Sequence, residues 1–220
     1  MKRILIGVCS TRSDKRFWDS FFRFTKDICE FYDVGTTIIR DMHLPDAQNE
    51  IVEIFMNCNY DYLLFMDDDH WGHTREMLDC LVEADSPLAT IKSYSRHYPY
   101  SCALMRQNRN SYAGIENGEG YQEVDLSGFP MTLIKREVFE KMERPYFVGK
   151  DEGLRTWATD ENFSRRMKSL GLKMTGCFQY CLPHDDITQE TVWKRREEEK
   201  MDGEKLALYW AFRKKQMQGV

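Results

Sequence analysis

The apolar run Tyr62-Leu63-Leu64-Phe65-Met66 leads directly into Asp67-Asp68-Asp69. A buried strand that ends in three adjacent carboxylates constrains the fold more than any other feature of the chain. Carboxylates this close repel one another unless a cation sits between them. In open α/β sheets ligands bind outside the carboxyl ends of the strands. The run therefore predicts a sheet whose carboxyl edge holds a divalent metal, with phosphate oxygens completing the shell of a hard ion. If the strand's period of two persists, Asp67 and Asp69 face one side and Asp68 the other. Asp68 is then either structural or a further contact to the ligand. The competing reading is a surface turn in which Asp caps a helix, which three carboxylates after an apolar strand do not require.

Strand and helix patterns alternate around this run. Residues 3–9 form an apolar strand, and Phe17, Phe21, Phe24, Ile28 and Phe31 then recur on one helical face. A strand over 34–40 precedes a helix with Ile51, Ile54, Phe55 and Cys58, for which Asp46 is the expected N-cap. Thr74 caps a helix bearing Met77, Leu78, Leu81 and Val82, and 87–91 reads as a fourth strand. From Lys92 to Gly120 the sequence is rich in Tyr, Ser, Arg, Asn and Gly without periodicity, as in a functional loop. Strands follow at 121–125 and 130–134, then a helix over 136–142. A helix from Asp160 buries Phe163, Met167 and Leu170 and stops at Gly171, and a last strand over 173–178 leads to Pro183-His184-Asp185-Asp186. These units predict an α/β domain over 1–187 with a mixed, mainly parallel sheet flanked by helices. Residues 188–220 read as a charged helical extension in two pieces, interrupted at Gly203.

Composition excludes some functions. With 31 basic against 36 acidic residues the chain offers no overall cationic face, so stable nucleic-acid binding is not expected. Seven cysteines, an odd number without repeated spacing, suit reduced thiols in a cytoplasmic protein. The apolar N-terminal run is too short for a signal peptide, and no stretch approaches the roughly 18 apolar residues of a membrane span. The charged C-terminal helices leave self-association into a homo-oligomer open.

Four features in order resemble the GT-A glycosyltransferases, in particular the family-2-like enzymes with their Rossmann-like fold. They are the acidic triplet with its aspartate-any-aspartate pair; Val124-Asp125-Leu126-Ser127-Gly128-Phe129-Pro130 and the strand and basic helix start that follow; Thr159-Asp160-Glu161-Asn162-Phe163-Ser164-Arg165-Arg166 with Gly171-Leu172-Lys173; and His184 after the last strand. The resemblance implies a nucleotide-diphosphate-sugar donor, a UDP-sugar being favoured, and Mn²⁺ or Mg²⁺ held by Asp69 and His184. Asp67 contacts the metal or the donor ribose. Asp160 corresponds to the general base of the inverting members, with Glu161 as the fallback. Ser10, Thr11, Arg12 and Asp41 correspond to the elements that hold base and ribose. Asn49 falls in the donor-binding set, although Gln48 stands where relatives often carry Arg or Lys.

Other readings compete. An Asp-nucleophile phosphatase would use Asp67 and Asp69, but that family wants a small Thr or Val where Trp71 stands and usually builds on the first strand. A nucleotide-sugar or metal-binding module without turnover is the non-enzymatic alternative. Cys177, Cys181 and His184 lack the fourth ligand of a structural zinc site. His70 either joins the metal shell or sits in a solvated loop, and Arg96 either approaches donor or acceptor or is solvated. The aperiodic 92–120 segment is where acceptor choice is expected.

Overall fold

The computed structural model describes residues 1–11, 14–95, 101–108, 111–152, 155–157 and 159–199. In chain order the first elements are β1 (Arg3–Ser10), α1 (Lys15–Ile28), β2 (Asp33–Arg40), α2 (Leu44–Asn57), β3 (Tyr62–Met66), α3 (Arg75–Glu83) and β4 (Leu88–Ser93). There follow β5 (Leu104–Asn108), β6 (Ser111–Gly114), β7 (Tyr121–Val124), β8 (Leu126–Ser127), β9 (Met131–Lys135) and α4 (Arg136–Lys141). The chain continues through β10 (Lys150–Glu152), β11 (Arg155–Trp157), α5 (Thr159–Ser169), β12 (Met174–Leu182) and α6 (Gln189–Glu199).

Seven strands form one mixed sheet in the order β2-β1-β3-β9-β4-β12-β7. β1 is parallel to β2 and β3, and β4 is parallel to β12. β9 is antiparallel to both β3 and β4, and β7 to β12. The expected mixed sheet with flanking helices is thus the one observed, and it is not purely parallel. A parallel neighbour needs a crossover, usually a helix. Between β4 and β9 the described chain instead makes the small β6-β5-β8 sheet and returns without a helix, so β9 enters backwards.

Period-two alternation divides the core into two layers. Leu5, Leu63 and Phe65 face α2 and α5, packing with Ile51, Val52, Phe55 and Phe163. Ile4, Ile6, Val8, Leu64 and Met66 face α1 and α3, packing with Phe17, Phe21, Phe24 and Leu78. Gly7 lies on the α2 side, where an added Cβ would stand 2.5 Å from Ile51 Cγ2, so glycine lets α2 settle closely on β1.

Several local expectations change. His43, not Asp46, occupies the N-cap of α2, and Asp46 lies inside the first turn with Pro45. Phe31 falls beyond the end of α1, is 48 % exposed and has the Arg75 guanidinium over its ring; Leu170 is 44 % exposed. The 92–120 segment, expected to be a functional loop, contains the β5–β6 hairpin. Thr74 caps α3 as expected, its side chain accepting the Met77 N–H, and Gly171 follows α5 at φ +68°. α6 is not wholly solvated, because Val192 is fully buried in the α2/α5 layer. The second helical piece of the extension lies outside the described residues. Among the described residues no helix is long and apolar enough to cross a membrane.

An aromatic cluster seats α5 on the sheet. Phe147 and Phe163 stack at 4.6 Å, and Phe129 meets Phe163 edge-on at 5.5 Å. Phe65 of β3 touches both Phe129 and Phe147. Each such pair contributes about 0.5–1.5 kcal/mol beyond burial. Asn49 holds the Phe147 segment in place: its Oδ1 accepts the N–H groups of Tyr146 (2.8 Å) and Phe147 (3.0 Å), and its Nδ2 donates to the carbonyls of Pro45 (2.9 Å) and Phe147 (2.8 Å). Its amide is saturated by backbone, and this clamp takes the place of the donor contact expected of Asn49. Asn49→Ala leaves those backbone groups without partners. It is expected to lower unfolding stability by about 2–3 kcal/mol, read from urea denaturation as a shifted midpoint at unchanged slope.

Candidate functional site

The acidic triplet sits at the sheet's carboxyl edge, but not in strand geometry. β3 ends at Met66, and Asp67, Asp68 and Asp69 occupy a turn in which the His70 N–H reaches the Asp67 carbonyl at 3.3 Å. Strand alternation therefore does not pair Asp67 with Asp69. Asp68 is buried, and its Oδ2 accepts the Thr11 N–H at 2.8 Å, tying the end of β1 to the end of β3. This is the structural option for Asp68. Ser10, buried, and Thr11 come to the same edge, as does Asp41 at φ +54° after β2, whereas Arg12 and Arg96 lie outside the described residues.

Asp69 faces two imidazoles. Its Oδ2 is 3.1 Å from His184 Nε2, and its Oδ1 is 3.0 Å from His70 Nδ1. His184 Nδ1 lies 2.9 Å from the Tyr94 carbonyl. A carbonyl only accepts, so Nδ1 carries a hydrogen and Nε2 is the nitrogen turned toward Asp69. A proton or a cation between Nε2 and the carboxylate can join them. The His70 ring is stacked on His184 at 4.3 Å with 19° between planes. His70 is 4 % exposed, and neither of its ring nitrogens has an aligned hydrogen-bond partner. Burial pulls the His70 pKa down, which favours the neutral ring that a ligand must be. Burial disfavours the charged Asp69, but contacts with His184 and His70 outweigh it and hold the carboxyl well below its usual range.

The donor atoms of Asp69, His70 and His184 lie within 4.8 Å of one another, and among the described residues this is the one group of three that converges in this way. These residues fit a divalent ion: a charged carboxylate, a ring nitrogen presented by a carbonyl on the opposite nitrogen, and a buried imidazole with unsatisfied nitrogens. Asp67 stands outside the group, whereas Asp69 and His184 of the expected set lie in it beside His70. Cys177 is fully buried within β12, on the α1/α3 side, and the Cys177–Cys181–His184 combination does not come together. His73 belongs to packing, with Nδ1 3.1 Å from Ser20 Oγ, its ring against Phe17 and Phe24, and its pKa brought down by burial to about 3.

The loop bearing His184 is clamped from several sides. Asp185 N–H donates to the Asp69 carbonyl at 2.8 Å, and Trp71 Nε1–H to the Asp185 carbonyl at 2.8 Å. Arg16 pairs with Asp186 at 2.6 Å and with Asp14, the cap of α1, at 3.0 Å. Sequence reasoning did not find the Tyr94 carbonyl, because a backbone acceptor leaves no trace in residue identity. His70, open in the sequence between the metal shell and a solvated loop, is buried beside Asp69.

Asp160 enters from the first turn of α5. A Cβ added at Gly128 would stand 3.9 Å from its Oδ2, and the Thr159 hydroxyl donates to its Oδ1 at 3.1 Å. Burial raises its pKa; Thr159 opposes this, while the negative charges of Asp69 and Glu161 add to it, and the net shift is upward. Glu161 is engaged elsewhere, accepting from Arg165 Nε at 3.0 Å and Nη2 at 2.5 Å on the helix surface. Cys9, at the end of β1, feels Asp67, Asp68 and Asp160 together; burial first, then these charges, push its thiol far up and keep it unreactive.

A carboxyl whose folded pKa lies above its unfolded value binds protons more tightly in the native state, so stability falls as pH rises through that window. Asp160→Asn removes this cost. The variant is expected to melt higher than the wild type at pH 7, with the difference shrinking as pH drops toward 4, measured by thermal unfolding across pH.

No protein-family model and no curated protein matches the sequence. Among solved structures, the crystal structure of A197 from STIV, a viral protein, is similar, with a TM-score of 0.57 at 18 % identity over 83 % of each chain. The likeness is one of fold.

Proposed function

We propose that the chain is a metal-dependent glycosyltransferase that moves a sugar from a nucleotide-diphosphate donor, a UDP-sugar being favoured, to an acceptor hydroxyl. The observation that carries this reading is the pairing, on one carboxyl edge, of the Asp69–His184 corner with a half-buried Asp160 whose pKa is raised by desolvation and by Asp69. A divalent ion at that corner, Mn²⁺ or Mg²⁺, supplies Lewis-acid neutralisation of the charge that develops on the departing diphosphate.

Asp160 accepts the proton of the acceptor hydroxyl through a carboxylate oxygen as that hydroxyl attacks the anomeric carbon in a single inverting displacement. A raised pKa suits it, since a base works best near the operating pH. The ion pair of Glu161 with Arg165 favours Asp160 over its neighbour as base. Ser10, Thr11 and Asp41, at the ends of β1 and β2, are positioned to meet base and ribose, and Asp67 to meet the donor beside the metal. His184 stays in place through Tyr94, whose carbonyl accepts from Nδ1 and so turns Nε2 toward Asp69.

Release of nucleoside diphosphate from a panel of UDP-, GDP-, CDP- and dTDP-sugars, with Mn²⁺ and candidate acceptors, tests this reading. Asp160→Asn is expected to slow transfer by about 10²–10⁴-fold while donor with Mn²⁺ still raises the melting temperature. Asp69→Ala is expected to lose both the donor-induced stabilisation and transfer. Wild-type activity should fall as pH drops through the Asp160 pKa, with that limb above the ordinary aspartate value of about 3.9. Donor binding with no transfer to any acceptor would identify a binding module instead.

A further inference from the structure

We propose that His70 is itself a metal ligand, so that the corner is a two-histidine, one-carboxylate centre selective for a first-row transition ion over Mg²⁺ or Ca²⁺. The inference deepens the metal-site part of the reading above and is independent of sugar transfer.

Backbone geometry delivers His70 to the site. Residues 70 and 184 form an antiparallel bridge, and the Asp185 N–H closes on the Asp69 carbonyl, so the two segments are in register and their rings lie side by side. The two imidazoles reach the two oxygens of one carboxylate at 3.0 and 3.1 Å. A proton shared between His184 and Asp69 would explain that contact alone. It leaves His70 unexplained, because this ring is buried, its Nε2 has no hydrogen-bond partner, and its Nδ1, 3.0 Å from Asp69 Oδ1, is not aligned for one. Such a group in a native interior calls for a partner of another kind. The contrast with His73 is informative. That ring is also buried, but its Nδ1 reaches the Ser20 hydroxyl and its faces meet Phe17 and Phe24, so it packs as an aromatic. His70 faces a carboxylate and another imidazole.

The donor set then decides the ion. Mg²⁺ and Ca²⁺ take oxygen ligands and gain little from nitrogen, whereas affinity for N/O sites rises from Mn²⁺ through Co²⁺ and beyond. The three ligand atoms lie within 4.8 Å of one another, close enough to converge on one ion. Three protein ligands leave coordination positions for oxygens of a bound substrate.

Pulsed EPR of the full chain loaded with Mn²⁺ alone tests this on the wild type. Two imidazole nitrogen couplings, both altered by ¹⁵N-histidine labelling, are expected. A single coupling overturns the role of His70 while leaving a metal site, and absence of bound Mn²⁺ overturns the metal reading as a whole. Calorimetry on His70→Phe, which keeps a stacked, buried ring, provides the second measurement. Co²⁺ affinity is expected to drop at least about tenfold while Mg²⁺ affinity changes less than about twofold, so the preference narrows. A variant that melts like the metal-free wild type and keeps the full Co²⁺-over-Mg²⁺ preference overturns the proposal.

Discussion

Negative charge concentrated at the end of a buried strand has to be answered residue by residue, and at β3 the answers organise the whole corner. Asp68 is met by a backbone N–H from the end of β1. Asp69 is met by two imidazoles, one arriving from β12 and one from the turn itself. Asp160, brought in by α5, is pushed toward its neutral form by burial and by Asp69. Three segments distant in sequence are thus held together by one electrostatic problem. Each would be costly to bury without the others.

Charge alone does not hold α5 over the edge. The Phe65–Phe129–Phe147–Phe163 cluster lies directly beneath it, and Asn49 secures the segment that contributes Phe147. The position of Asp160 therefore rests on a saturated amide on α2 and on rings from three further parts of the chain. A similar dependence holds for His184, whose usable nitrogen is selected by a carbonyl beyond β4. In both cases the side chain that does chemistry is oriented by groups that do none.

Much of the scaffold was legible in the sequence because its signals are local. Thr74 and Gly171 mark helix ends through their own hydrogen bonding and backbone freedom, and the β1 and β3 runs read as strands from apolar patterning. Errors arose where a neighbour in space decided the outcome. Phe31 and Leu170 continue a helical period, yet they lie at helix ends with no layer above them to receive them. The β5–β6 hairpin has alternation too weak to see in a polar segment. Asp67 and Asp69 were paired by extending strand geometry one turn too far. Asn49 looked like a ligand-binding amide because nothing in sequence shows that the backbone of residues 146–147 comes to meet it.

The reversed strand β9 has a geometric consequence. Lying between β3 and β4, it separates their carboxyl ends by two strand spacings, about 9.5 Å, and presents its own beginning there. That beginning is narrow: Gly128 contributes no side chain, and Asp160 Oδ2 stands just beyond. The gap between the two parallel strands is therefore set by chain direction, with Gly128 beside Asp160 at its edge. Exchanging side chains along its walls would alter what it accepts long before it altered its width.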